Sequence, residues 1–157
     1  MPDLHINNPA HYADFIQLNE QWIARYFQLE DADHKLAANP GAVVDQGGYI
    51  LSLTEVRRVI GVCALFSQGK GIYELARLAV DEKFRRLGHA DRLIKEALLI
   101  LNTIEARKVT LMSNTCLMSA LNLYRKHEFH IVFEGSHPIY ARTNIIMEKY
   151  LRSETHA

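Results

Sequence analysis

The sequence predicts an α/β fold in which one mixed sheet of about seven strands carries helices on both faces. Three observations point there. Apolar residues recur at helical spacing near the front of the chain, give way to three consecutive extended runs, and return to helical spacing from Gly88. The three runs are joined by short turns, which suits antiparallel neighbours. The stretch Ile72–Ser113 reads strand, helix, strand, and a helical crossover of that kind joins parallel strands.

The elements follow in order. Leu4-His5-Ile6 is a short first strand. Asn8 is an N-cap candidate with Pro9 at the first helical position, where its missing N–H costs nothing. Phe15, Leu18, Trp22, Ile23, Tyr26 and Phe27 then follow at helical spacing, most of them expected in the core. A second helix over about Glu30–Ala38 stops at Asn39-Pro40. Tyr49–Val56, Val59–Phe66 and Ile72–Val80 form a meander, with turns at Arg57-Arg58 and at Gln68-Gly69-Lys70-Gly71. From Gly88, a stripe of Ala90, Leu93, Ile94, Ala97, Leu98 and Leu101 marks an amphipathic helix. A strand at Lys108–Ser113, a helix at Leu117–Lys126 and strands at Phe129–Glu134 and Asn144–Tyr150 complete the chain.

Composition narrows the function. At 157 residues the chain is expected to form a single domain, 1–157, large enough to bury a core without a metal or disulfide staple. Lys plus Arg and Asp plus Glu are both 18, so the basic surplus of a nucleic-acid binder is missing. The longest apolar run, Val59–Phe66, has eight residues, far short of a membrane span. Met1–Pro9 is polar and does not read as a signal peptide. Cys63 and Cys116 show neither CxxC nor zinc spacing and are expected as reduced core thiols of a cytoplasmic protein. His127-x-x-His130 straddles a helix end without a completing ligand set, so surface histidines are expected and no metal.

The sharpest local feature is the segment from Val80 to Ala90, where a strand ends, a basic loop follows and a strongly amphipathic helix begins. A helix N-terminus exposes unpaired N–H groups and about half a positive charge. Gly88 and Ala90 allow close approach to the backbone, and Arg85 and Arg86 add full charges. This is an anion site suited to a pyrophosphate. It is neither a Walker loop nor a dinucleotide fingerprint, since GxxxxGK[ST] and GxGxxG are both missing. An ordinary strand-to-helix turn with solvated arginines is the competing reading.

Arg85-x-x-Gly88-x-Ala90 resembles the [Q/R]xxGx[G/A] signature of the GNAT acetyltransferases. Glu74–Val80 sits where that family places its fourth strand, Ser113-Asn114 ends the next one, and Ala120–Lys126 resembles its A-x-x-LY-x-x segment. The order of elements is the family's, and the resemblance covers about Leu4–Tyr150. Leu18–Glu30 and Tyr140–Met147 are similar to a stand-alone bacterial branch.

The resemblance implies a GNAT fold with a splay between the fourth and fifth strands, Ile72–Val80 and Lys108–Ser113, occupied by acetyl-CoA as co-substrate. The segment Leu78-Ala79-Val80 would pair with the pantetheine arm through its backbone, and the loop Arg85, Arg86, Gly88, His89 and Ala90 would hold the pyrophosphate. The reaction implied is transfer of an acetyl group to a primary amine, on a small molecule or a peptide, with the front helices that carry Trp22, Tyr26 and Phe27 forming one wall of the acceptor site, and an edge-strand homodimer is compatible with the family. Three positions depart from its pattern. Glu128 stands where a helix-ending Gly is frequent, which predicts a reshaped turn. Leu117 stands where some members carry an Asn that bonds the cofactor, and Arg86 replaces a frequent Gly.

Direct transfer from a thioester needs a base for the amine, a donor for the oxyanion and an acid for the thiolate. Strand alternation puts Glu74 on one face with Ile72, Ala76, Leu78 and Val80, an apolar setting that raises a carboxylate pKa and suits a general base. A structural partner for an arginine is the alternative. Tyr124, protonated at neutral pH, is the acid candidate, with packing as the alternative. A backbone N–H near Val80 is the oxyanion donor. Asn114 orients the strand end or a water, or simply caps a turn. Cys116 is read as packing, and His137 and Tyr140 are candidates to line the acceptor pocket. Glu30, Asp31 and Asp33 either attract a cationic amine or form a solvated acidic helix start. Two rivals to the transferase are a non-catalytic acyl-CoA-binding regulatory module and another phosphate-binding α/β domain.

Overall fold

The computed structural model describes residues 1–135 and 141–152. Its sheet has seven strands: β1 (Asp3–Ile6), β2 (Tyr49–Glu55), β3 (Arg58–Ser67), β4 (Ile72–Val80), β5 (Lys108–Ser113), β6 (His130–Glu134) and β7 (Ile145–Tyr150), in the spatial order β1-β2-β3-β4-β5-β7-β6. Among the described residues the only parallel neighbours are β4 and β5; the remaining pairs are antiparallel. The expected mixed sheet is the one that forms.

Helices cover both faces. On one side lie α1 (Tyr12–Tyr26), α2 (Asp31–Ala38) and a short α3 (Ala42–Asp45) that local periodicity does not reveal. Phe15, Leu18, Val43, Ile50, Val62, Ala64 and Ala79 form the core there. On the other side, α4 (His89–Thr103) and α5 (Met118–Lys126) bury Leu93, Ile94, Ala97, Leu101 and Leu121 against Leu51, Leu53, Ile60, Leu65 and Leu75. Asn8 caps as expected, its Oδ1 accepting from Ala10 N–H at 3.1 Å, but the cap opens a 3-10 turn at Pro9–His11 that leads into α1.

Two features shape the middle of the sheet. β4 and β5 pair only from Ile72↔Lys108 to Glu74↔Thr110. Beyond Glu74 they part, which leaves one edge of Leu75–Val80 without a strand beside it. On its other edge, β4 carries a bulge. Ala76 pairs with Ala64 and Ala79 with Val62, so Arg77 and Leu78 together oppose Cys63 alone. Arg77 takes a left-handed conformation at φ 59°.

That extra residue corrects the expected alternation. Leu75 belongs to the α4 core, so Glu74 points to the α1 side, where its register partner Phe66 packs. After the bulge the pleat is offset by one. Ala79 joins Glu74 and Ala76 on the α1 side, whereas Leu78 packs against the α4 core. Val80 also faces α4, close to a Gly61 position whose added Cβ would stand 3.2 Å from Leu93. Strict alternation would have put Glu74 with Leu78 and Val80.

The turn after α5 also departs from expectation. Glu128 adopts φ 69°, the conformation usually left to glycine. Phe129 N–H donates to the Tyr124 carbonyl at 3.1 Å and Glu128 N–H to the Arg125 carbonyl at 2.9 Å. These are the paired bonds that close a helix ending in a Schellman turn. The helix stop is kept rather than reshaped, and Glu128 bears the strain.

Candidate active site

The parting of β4 and β5 opens a cleft of about 630 Å³. The catalytic and cofactor-binding residues expected from the sequence line it: Glu74, Leu78, Ala79 and Val80 from β4, Arg85, Arg86 and Gly88 from the loop, His89 and Ala90 from α4, Asn114 after β5, and Tyr124 from α5.

The loop is built for a close-lying anion. Asp81 caps a 3-10 turn at Glu82–Phe84 through Lys83 N–H at 3.0 Å and also accepts from Arg58 at 2.6 Å. Arg86 at φ 61° and Gly88 at φ 83° then turn the chain into α4. Arg86 therefore occupies a position that favours glycine. Among the described residues no side chain caps α4, and a Cβ added at Gly88 would meet nothing within 4 Å, so there is room beside the start of the helix. Among the described residues, His89 Nε2 is the one buried side-chain polar atom without a hydrogen-bond partner. Asp91, in the first turn, would repel an anion, but Lys95 at 3.0 Å, His127 at 2.7 Å and Lys126 at 3.2 Å surround it and hold its carboxyl well below the usual carboxylate range.

Glu74 and Tyr124 approach the cleft from opposite sides of the sheet. Glu74 is 9% exposed, and burial pushes its carboxyl up to about 7 against the opposing pull of Arg77 and of Gln68, whose Nε2 lies 3.4 Å away. A group with that value changes charge near neutrality. Tyr124 packs against the α4 core, and burial, with Cys63 nearby, raises its phenol to about 12. It keeps its proton at any physiological pH.

Several expectations change here. Trp22 and Phe27 are half-buried and Tyr26 is 44% exposed; Trp22 packs against the α1-side core, and this aromatic end of α1 also lines the cleft, where the family resemblance puts a wall of the acceptor site. Asp33 is neither a solvated cap nor a free lure for an amine. It is 3% exposed, accepts both nitrogens of Arg142 at 2.7 Å each, and pairs with Arg77. Burial by itself would raise its carboxyl, but Arg142, the Glu30 N–H and Arg77 outweigh that and hold it at about 2. Glu30 accepts from Arg142 at 3.2 Å and from Ala141 N–H at 3.1 Å. This network ties α2 to the segment before β7. The signal that could have found it is Arg77, the one cation in a largely apolar strand whose other charge is Glu74. Asn114 accepts from Cys116 N–H at 2.9 Å and donates to the Arg142 carbonyl at 2.7 Å, joining the same corner. That cap turns Cys116 outward, so it is exposed, while Cys63 is buried and its thiol is raised to about 12 by burial. His127, held by Asp91, is only 10% exposed and is no surface histidine. No group of side chains among the described residues could hold a metal ion. His137 and Tyr140 lie outside the described residues.

A family model described as an acetyltransferase (GNAT) domain matches residues 46–131, more than half of the chain. The chain belongs to the GNAT acetyltransferase family. No curated protein sequence matches it. Solved structures carry the same GNAT fold at low identity. A GNAT-family acetyltransferase from Staphylococcus aureus Mu50 superposes with a TM-score of 0.86 at 15% identity, covering 97% of this chain and 100% of its own. A GNAT phosphinothricin acetyltransferase from Sinorhizobium meliloti, in complex with AcCoA, gives 0.77 at 13% identity, with 96% and 88% covered. A PaiA N-acetyltransferase from Thermoplasma acidophilum, in complex with coenzyme A, gives 0.72 at 16%, with 94% and 99% covered. The chain is accordingly an acyltransferase of the GNAT type, and none of its helices among the described residues is long and apolar enough to cross a membrane.

Proposed function

We propose that the 1–157 chain is one transferase domain that moves an acetyl group from acetyl-CoA to a primary amine by direct attack within a ternary complex. The observation that carries this reading is the parting of β4 from β5 beyond Glu74, with the uncapped start of α4 at one end of the gap. The cleft fits coenzyme A in its own chemistry. The unpaired edge of Leu78–Val80 offers backbone groups to an amide-bearing arm, the start of α4 has no side-chain cap and open room beside Gly88, and His89 Nε2 lacks a partner among the described residues. Structural neighbours solved with AcCoA or coenzyme A support the same cofactor.

In the step proposed, the amine nitrogen forms a bond to the thioester carbonyl carbon and the carbon–sulfur bond breaks. Glu74, ionised near neutrality, takes the proton that the attacking amine loses. A backbone N–H near Val80 donates to the oxyanion. Tyr124 gives its proton to the leaving thiolate. Holding both substrates together removes the need for a covalent enzyme intermediate, since proximity alone lowers the barrier by several kcal/mol. Asn114 keeps the end of the cleft in shape through Arg142 and Cys116.

Thiol release from acetyl-CoA across a panel of amines tests this. Amine-dependent release that Glu74→Gln suppresses is expected. Coenzyme A binding with no amine acetylated would favour a binding module.

A further inference from the structure

Glu74 fixes the side from which an acceptor comes, and what surrounds it on that side describes the acceptor. Phe66 stands opposite it in register, and Trp22 packs on the same α1-side core. Trp22 gathers Tyr26 and Phe27 at ring distances of 5.4 and 6.0 Å, and Trp22, Phe27 and Phe66 all line the cleft. Two further carboxylates near this end are committed, Asp33 to Arg142 and Arg77 and Glu30 to Arg142, while Asp31 is exposed and does not line the cleft. Two acids and two arginines balance. Among the described residues that line the cleft, the carboxylates are Glu74 and Asp91, and Asp91 is held at the other end by Lys95, Lys126 and His127; this end offers Glu74, set among aromatic faces.

Resting on the transferase reading, we propose that the acceptor is a monoamine carried on a flat aromatic body, of arylalkylamine type. The ammonium gives one proton to solvent, and the free amine then meets Glu74, which takes the proton it loses on attack, while the ring lies against Trp22, Phe27 and Phe66, where stacking and cation–π attraction operate. A polycation or a lysine side chain of a peptide would place further charges or polar backbone against these rings, with no uncommitted acid to receive them.

Trp22 is the chain's single tryptophan, so its emission reports on this wall directly. With the full chain and acetyl-CoA, kcat/KM for 2-phenylethylamine is expected at least tenfold above that for spermidine or a lysine hexapeptide. With coenzyme A bound, 2-phenylethylamine is expected to quench or shift Trp22 emission at saturation. Trp22→Leu is expected to raise KM for 2-phenylethylamine about tenfold while leaving the Kd for coenzyme A unchanged. Preference for spermidine or the peptide, or emission indifferent to saturating 2-phenylethylamine, would overturn the acceptor class while leaving the transferase reading intact. Coenzyme A failing to bind in calorimetry would overturn both.

Discussion

Phe129 is bound to Tyr124 twice: its N–H donates to the Tyr124 carbonyl at 3.1 Å, and the two rings meet edge-on at 6.1 Å. The same contact ends α5 and fixes the orientation of the phenol that lines the cleft. With its ring held by packing, Tyr124→Phe is expected to leave coenzyme A affinity unchanged and to lower kcat by about 100-fold, the scale of a lost general acid. Steady-state kinetics beside calorimetry checks this, and an unchanged kcat removes Tyr124 from the mechanism.

The strain in that turn sits on Glu128. Left-handed backbone costs a residue with a Cβ roughly 1–2 kcal/mol, partly offset in glycine by greater unfolded-chain entropy. Glu128→Gly should stabilise the fold by about 0.5–1 kcal/mol in urea unfolding, with activity unaltered.

Glu74 links activity to stability. Its carboxyl is raised from 4.5 to about 7 by burial, so the folded state holds the proton more tightly than the unfolded chain. The resulting stability is fully present below pH 4.5 and is lost as pH rises through about 7. Glu74→Gln should flatten that decline and gain on the order of 3 kcal/mol at pH 8. The same substitution should remove the acidic limb of the kcat/KM profile near pH 7, along with most of the activity. Denaturation curves at several pH values, set beside pH–rate profiles, test both halves.

Arg142 secures Asp33 from a distance of 109 residues in sequence. Arg142→Ala leaves a buried carboxylate short of its bidentate partner and should cost about 3 kcal/mol or more. Asp33 is depressed from 3.8 to about 2, so its contribution is present above pH 3.8 and lost as pH falls through 2. The variant's deficit should therefore be full above pH 3.8 and shrink as pH falls through about 2, measured by denaturation followed by circular dichroism at several acid pH values.

Gly88 separates fold from ligand. Its Cβ would meet no neighbour, so Gly88→Ala should cost only about 1 kcal/mol of backbone strain. Gly88→Glu places a carboxylate where phosphates are proposed to lie and should abolish coenzyme A binding in calorimetry while the chain stays folded.

What was readable in the sequence is what local spacing records. The stripe from Ala90 to Leu101 gave α4, three apolar runs gave the meander, and Arg85-x-x-Gly88-x-Ala90 located the cleft. α3 escaped because four residues carry no period. The orientation of Leu78 and Val80 escaped because a bulge is a property of two strands, and only the jump in register from Ala64↔Ala76 to Val62↔Ala79 reveals it. The Asp33–Arg142 pair escaped for a similar reason, since nothing near either residue names the other.

That doubled residue opposite Cys63 makes β4 intolerant of a change in length. Deleting Arg77 would bring the strand back into step and exchange inside for outside along everything downstream: Ala79 would swing toward α4, and Leu78 and Val80 toward α1. The crevice wall would be turned inside out by the loss of a single residue, whereas a substitution at the same place would leave the frame intact.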